Sequence, residues 1–253
     1  MPAAIRSLSP TLRCLQRMAQ IIETRNRTGA GRMKWKYAVE EPRLASVLAL
    51  LVATPSPVSE RPADALSVLF TVRAKTLRKH AGEVSFPGGA VDSDDASLVA
   101  AALRETKEEV GVDSILILGQ LPELPDKSLR TRVYPFLGVA CSLPLSGLES
   151  AQSDPPLFLH DVPESQVHAI RVKSPDELNM TLNHDEVETY FVVPVRELMN
   201  PRNQKMKEFR DGAGFQIPSW EGPNKQEIWG LTAYILNDLL KNILTPIFDE
   251  GEN

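Results

Sequence analysis

Apolar positions along this chain follow two periods, and the change from one to the other marks its elements. Residues 44–53 and 66–73 are short, β-rich apolar runs joined by a Pro/Ser stretch at 54–64, which predicts two strands and a connection. A third strand is predicted at 84–86, running into Pro87-Gly88-Gly89. From 97 to 110 the spacing turns helical: Leu98, Ala101, Ala102 and Leu103 form the apolar side, and Gly111 stops the helix. Further strands are predicted at 115–118, 133–141 and 190–193, with a short helix at 195–199 and a longer one at 232–244 behind Ile228-Trp229. Residues 144–169 are rich in Pro, Ser and acid without periodicity and read as a long loop or insertion. Strands and helices alternate irregularly and no segment repeats, so the expected class is α/β or α+β, a sandwich with a mixed sheet.

Length narrows this to one catalytic domain with tails, since 253 residues bury a sizeable core without requiring a second one. The boundaries expected are 1–36 for an N-terminal segment, 37–247 for the domain and 248–253 for a tail. Formal charge is −5, but residues 1–36 carry +7, which leaves −12 on the rest. A body that acidic repels a phosphate backbone, so nucleic acid is not an expected partner. No run approaches the eighteen or so apolar residues of a membrane span. Cys14 and Cys141 are too few and too far apart for a disulfide framework or a zinc site.

The basic N-terminal segment has one acid, Glu23, and places Ile5, Leu8, Leu12, Leu15, Ala19 and Ile22 on one helical face. That is the composition of a mitochondrial transit peptide. It is equally the pattern of an ordinary helix over 11–22, capped at Ser9-Pro10 and packed on the domain.

The stretch that points to chemistry is Gly88-Gly89, then fourteen residues, then Arg104-Glu105-Thr106-Lys107-Glu108-Glu109-Val110-Gly111-Val112. On a helix Glu105, Glu108 and Glu109 stand at i, i+3 and i+4 and share a face. Like charges so spaced cost a helix about 0.2–0.5 kcal/mol per pair with no return in water, so a cation is expected among them. Hard divalent ions such as Mg²⁺ take carboxylate oxygens, keep several waters and bind together with substrate phosphates. A solvated acidic face is the competing account of any single Glu pair. The ensemble of strand, Gly-Gly, interval, Arg-Glu, Glu-Glu and Gly is what favours a metal site.

This ensemble resembles the Nudix hydrolases, whose signature is G-x5-E-x7-R-E-U-x-E-E-x-G-U with U aliphatic. Arg104, Glu105, Glu108, Glu109, Gly111 and Val112 fall in place; Thr106 stands at an aliphatic position. The interval is one residue too long, and the place of the signature's first Glu is taken by Ala96, with Asp94 and Asp95 just before it. Upstream, Leu77-Arg78-Lys79-His80-Ala81-Gly82-Glu83-Val84-Ser85-Phe86-Pro87-Gly88-Gly89 is similar to the L-R-x-H-x-G-x-V-x-F-P-G-G motif of the coenzyme A diphosphatase branch. With the leader, the chain looks like that branch's mitochondrial members.

The resemblance implies a Nudix-type α/β/α sandwich and hydrolysis of the diphosphate of coenzyme A or acyl-CoA to 3′,5′-ADP and 4′-phosphopantetheine or its acyl derivative. It implies Mg²⁺ or Mn²⁺ on Glu105, Glu108, Glu109 and the Gly89 carbonyl, with Arg104 orienting the carboxylates. A carboxylate takes the proton of the attacking water, either Glu108, Glu109 or the distal Glu186. Arg73, Lys75, Arg78, Lys79 and His80 form the dense cationic cluster outside the leader, and of these Arg73, Arg78 and His80, with Gly88 and Gly89, are the expected substrate contacts. Two other functions stay open on sequence alone: cleavage of NADH, ADP-ribose or a nucleoside triphosphate, and binding of a nucleotide without cleavage. Trp229 and Cys141 are read as core residues.

Overall fold

The computed structural model describes residues 9–55, 62–142, 156–208 and 216–248. Residues 1–8 of the N-terminal segment, 56–61 of the first connection, 143–155, 209–215 and 249–253 lie outside them, and with them the apolar positions Ile5 and Leu8.

The core is a mixed sheet in the order β3 (Val84–Ser85), β2 (Leu66–Arg73), β1 (Arg43–Ala53), β7 (Thr131–Ser142) and β5 (Ile115–Gln120). β4 (Gly88–Ala90) pairs with β1, β6 (Leu124–Pro125) and β8 (Arg171–Val172) with β7, and β9 (Val187–Pro194) with β2. β1 and β7 run parallel; their other pairings are antiparallel. The apolar run of β1 is continuous rather than alternating because both sheet faces are covered. Leu48, Leu50 and Val52 point to one core cluster, and Ala49 and Leu51 to the other.

Two layers of helix supply those covers. On one face lies α3 (Leu98–Val110), packing Val99, Ala102 and Val110 against the sheet. The other face is covered by α1 (Pro10–Thr28) and by α6 (Gly230–Leu239), whose Ala233, Leu236 and Leu239 are fully buried. Of the short helices, α2 (Pro62–Ala65) precedes β2, α4 (Glu164–Val167) precedes β8 and α5 (Val195–Met199) follows β9.

The helix expected over 11–22 is α1, and it packs on the domain. Ser9 caps α1, its Oγ accepting the Leu12 N–H at 3.3 Å, and Leu12, Leu15, Met18 and Ile22 are buried in the core. Arg25 closes a two-pronged pair on Asp238 of α6 at 2.8 and 3.0 Å.

Three expectations change. The helix expected at 232–244 is α6 followed by a π-helical turn, Leu240–Leu244, and by α7 (Thr245–Phe248). Residues 156–169 are not a bare loop: Leu159, Val162 and Val167 are buried, and Phe158 bridges to Ile117. Their apolar residues pack as short turns, which leave no helical or strand period to read. A second sheet, of β10 (Gln204–Glu208), β11 (Gln216–Glu221) and β12 (Glu227–Ile228), has no sequence signal, because β10 is exposed along nearly its whole length and three of its five residues are charged. Trp220 of β11 is buried with its indole N–H on the Leu198 carbonyl at 3.0 Å, whereas Trp229 is half-buried under the Lys207 ammonium. Cys141 is buried, as expected, and burial pushes its thiol up to about 12. Among the described residues no helix is long and apolar enough to cross a membrane.

Candidate active site

The site forms where α3 crosses β4. Ser97 caps the helix, its Oγ accepting the Ala100 N–H at 3.2 Å, and Gly111 ends it in a left-handed turn whose N–H reaches the Lys107 carbonyl at 2.9 Å. The caps set the ends of the helix and the buried Val99, Ala102 and Val110 set its rotation, so that Glu105 and Glu109, one turn apart, come to β4. Thr106, at the aliphatic position of the signature, is tolerated in the interior because its hydroxyl donates to the Ala102 carbonyl at 2.7 Å.

The two glycines are constrained differently: the first by neighbouring backbone, the second by the end of the Glu105 side chain. Gly88 has φ of 147°, and a Cβ there would lie 2.6 Å from the Val47 Cα. At Gly89 a Cβ would lie 2.5 Å from the Glu105 carboxylate oxygens. A bare backbone at Gly89 lets β4 pass under the helix glutamates without displacing the Glu105 carboxylate.

Glu109 is the buried member, 2% exposed. Its Oε2 accepts the Gly88 N–H at 3.2 Å, and its Oε1 lies 3.9 Å from Nη1 of Arg73. Burial pushes its carboxyl up to about 8; the Gly88 N–H and the Arg73 charge offset part of this, while Glu105 and Glu186 add to it. Glu105 is raised for the same first reason, burial, against the pull of Arg104.

The third carboxylate of the cluster is Glu186 rather than Glu108. Carboxylate oxygens of Glu105, Glu109 and Glu186 lie within 4.8 Å of one another. Glu108, 52% exposed, instead accepts from Arg104 Nη1 at 3.0 Å, as i,i+4 neighbours do. Glu186 arrives through the last carbonyls of α3, which lack partners within the helix. The Thr181 N–H takes the Val110 carbonyl at 3.1 Å and the Asn183 N–H takes that of Glu109 at 3.0 Å. Its own carbonyl then accepts the Ala74 N–H at 2.8 Å, tying the segment to the end of β2. No sequence pattern joins residue 186 to α3.

Arg104 organises the other side. Its Nε and Nη2 donate to the two oxygens of Asp95, both at 2.9 Å; Nη1 donates to Glu105 at 3.1 Å, and Nη2 also reaches the Ala90 carbonyl at 3.1 Å. Asp95 is 5% exposed, and the Arg104 bonds hold its carboxyl below the usual range. The irregular interval therefore still delivers an acid to Arg104, one position before the place the signature assigns it, and Asp95 is the site residue the sequence reading missed. A two-pronged Arg–carboxylate partner carries no local signature, so only its neighbourhood in the interval pointed to it.

The remaining expected contacts lie on the loop between β2 and β3. Arg73 closes it, its N–H on the Glu83 carbonyl and its carbonyl accepting from Gly82, both at 3.0 Å. Arg78 and Lys79 are exposed and have no partner among the described residues. Lys75 pairs with Glu188 at 2.8 Å. His80, with φ of 56°, turns its Nδ1 to Glu83 at 2.8 Å, which makes it a loop-closing residue here.

A NUDIX domain model matches residues 58–212, more than half of the chain and the whole of this site. The chain belongs to the Nudix family. It is 36% identical over 205 residues to the uncharacterized Nudix hydrolase NudL of Cronobacter sakazakii, covering 79% of this chain and 83% of that one. The Citrobacter koseri NudL is 33% identical over 180 residues, covering 70% and 74%. Among solved structures, a MutT/nudix family protein from Enterococcus faecalis superposes with a TM-score of 0.41 at 17% identity, covering 97% of this chain and 76% of that one. As a Nudix hydrolase it acts on diphosphate bonds, a chemistry for which the family employs divalent metal ions. The residues present fit such an ion. Three carboxylates converge, two of them raised above the ordinary carboxylate range, by burial first and by their carboxylate neighbours as well, and the bare Gly89 backbone leaves room beside them. A cation would lift the desolvation and repulsion that Gly88, Arg73 and Arg104 offset only in part.

Proposed function

We propose that this Nudix hydrolase cleaves the diphosphate of coenzyme A or a CoA thioester, releasing 3′,5′-ADP and 4′-phosphopantetheine or its acyl derivative, with Mg²⁺ or Mn²⁺. The observation that carries the substrate assignment is the loop at 74–83. It is rooted at Arg73 beside Glu109, and its Arg78 and Lys79 project into solvent without partners among the described residues. Coenzyme A carries a 3′-phosphate besides its diphosphate, and exposed cations on a loop rooted beside the carboxylate cluster suit that second anion. The likeness of 77–89 to the motif of that branch supports the same reading.

Glu105, Glu109 and Glu186 would hold the metal, with the Gly89 carbonyl and the more exposed Glu108 beside them. A bound divalent ion polarises phosphoryl oxygens and lowers the pKa of the attacking water. Arg104 fixes Glu105 and Glu108, and Asp95 fixes Arg104. We assign the proton of the attacking water to Glu186, whose carboxylate, alone in the cluster, accepts no hydrogen bond among the described residues. A water O–P bond forms, the bridging P–O bond breaks, and the leaving phosphate keeps the bridging oxygen.

Incubation with coenzyme A and Mn²⁺, with product masses read beside parallel reactions on ADP-ribose and NADH, tests the assignment. Release of 3′,5′-ADP as the fastest reaction supports it; faster cleavage of ADP-ribose, or binding of coenzyme A without products, overturns it. The mitochondrial address belongs to the same proposal and rests on the basic composition of residues 1–36. Cleavage at residue 36 would open the core at Leu12, Leu15, Met18 and Ile22. Import followed by sequencing of the imported N-terminus tests both points, and exclusion from mitochondria removes the address.

A further inference from the structure

Arg73 stands at a break in the sheet. Val72 lies opposite Thr189 and Arg73 opposite Val187, so β9 carries one extra residue there, Glu188. Bulges of this kind re-aim a side chain and recur beside active sites. The backbone around Arg73 is held on both flanks, by Glu83 and Gly82 across the loop and by the bond from Ala74 to Glu186. Its side chain is thus delivered to the carboxylate cluster, where it is 28% exposed.

Once there, the guanidinium does not close on a carboxylate. Nη1 is 3.9 Å from Glu109, beyond hydrogen-bond length, and Nε is buried with no hydrogen-bond partner. Arg104, on α3, shows the alternative: a fork on Asp95 with both bonds at 2.9 Å. An arginine kept only to neutralise Glu109 gains by forming that fork, and a buried unmade donor is costly. We propose that Arg73 is a substrate-binding residue whose unused Nε–H and Nη–H receive a phosphoryl oxygen of the diphosphate as it enters the cluster. Planar, paired donation to phosphate is what distinguishes arginine from lysine at such a position. The proposal rests on the diphosphate-hydrolase reading and not on the choice of coenzyme A.

The test uses methylenediphosphonate, which resists hydrolysis and carries neither nucleoside nor pantetheine. Its affinity for the Mn²⁺-saturated full chain is measured by calorimetry for wild type, Arg73→Lys and Arg73→Gln, together with the Mn²⁺ affinity and thermal midpoint of each. The Lys variant keeps the charge should the Gln variant fold poorly. In each folded variant the loss of diphosphonate affinity should exceed any loss of Mn²⁺ affinity by roughly fivefold or more. A smaller excess in either overturns the proposal, because Arg73 then acts through the metal cluster or the fold. Such a failure leaves the coenzyme A reading standing, and a failure of coenzyme A to turn over leaves this one standing.

Discussion

Glu109→Gln should make the metal-free protein more stable at alkaline pH while abolishing its catalysis. The substitution keeps the shape and the acceptor for the Gly88 N–H, 3.2 Å away, and removes only the charge. In the folded chain the Glu109 carboxyl titrates near 8, against an ordinary 4.5. The folded state therefore binds more protons than the unfolded state between those values. Stability from this group is complete below 4.5 and declines as pH rises through about 8. From pH 5 to pH 9 roughly three pKa units of that difference are traversed, and at 1.36 kcal/mol per unit the decline is about 4 kcal/mol. Other groups titrate over the same range, so the informative quantity is wild type minus variant. Urea unfolding in EDTA at both pH values supplies it. A change in that difference below about 1 kcal/mol, comparable with extrapolation error, would refute the burial argument. Saturating Mn²⁺ should remove the slope in the wild type, because binding requires the ionised carboxylate and releases its proton. Turnover of the variant should fall roughly 10²-fold or more, with far-UV circular dichroism unchanged.

Three further changes probe the supports of the site. Gly89→Ala puts a Cβ against the far end of Glu105, so calorimetry should show Mn²⁺ affinity falling about tenfold while the fold persists; unaltered affinity would remove Gly89 from the site. Asp95→Ala leaves Nε and Nη2 of Arg104 without their carboxylate, and kcat/KM should drop about 10- to 100-fold; full activity would mean that the variant interval supports nothing. Met18→Ala, in a fully buried position of α1, should cost about 2–5 kcal/mol in urea unfolding, whereas a leader independent of the domain would show no loss.

The sequence by itself determined what depends on neighbours along the chain. Helical period placed Glu105, Glu108 and Glu109 on one face, Gly111 marked the end of α3, and the apolar runs of β1 and β2 declared two strands. These signals reach a few residues and need no partner to be read. Tertiary structure decided which carboxylates meet. Glu186 joins the cluster because the carbonyls of Glu109 and Val110, unpaired at the end of a helix, draw in a loop more than seventy residues further on, while Glu108 is drawn off by Arg104. The same holds for the basic N-terminal helix, whose apolar face has one composition whether it serves as an address or fills a core, and which here covers the sheet. Burial and long-range proximity set the proton affinity of Glu109 and the aim of Arg73, and neither has a period in the sequence.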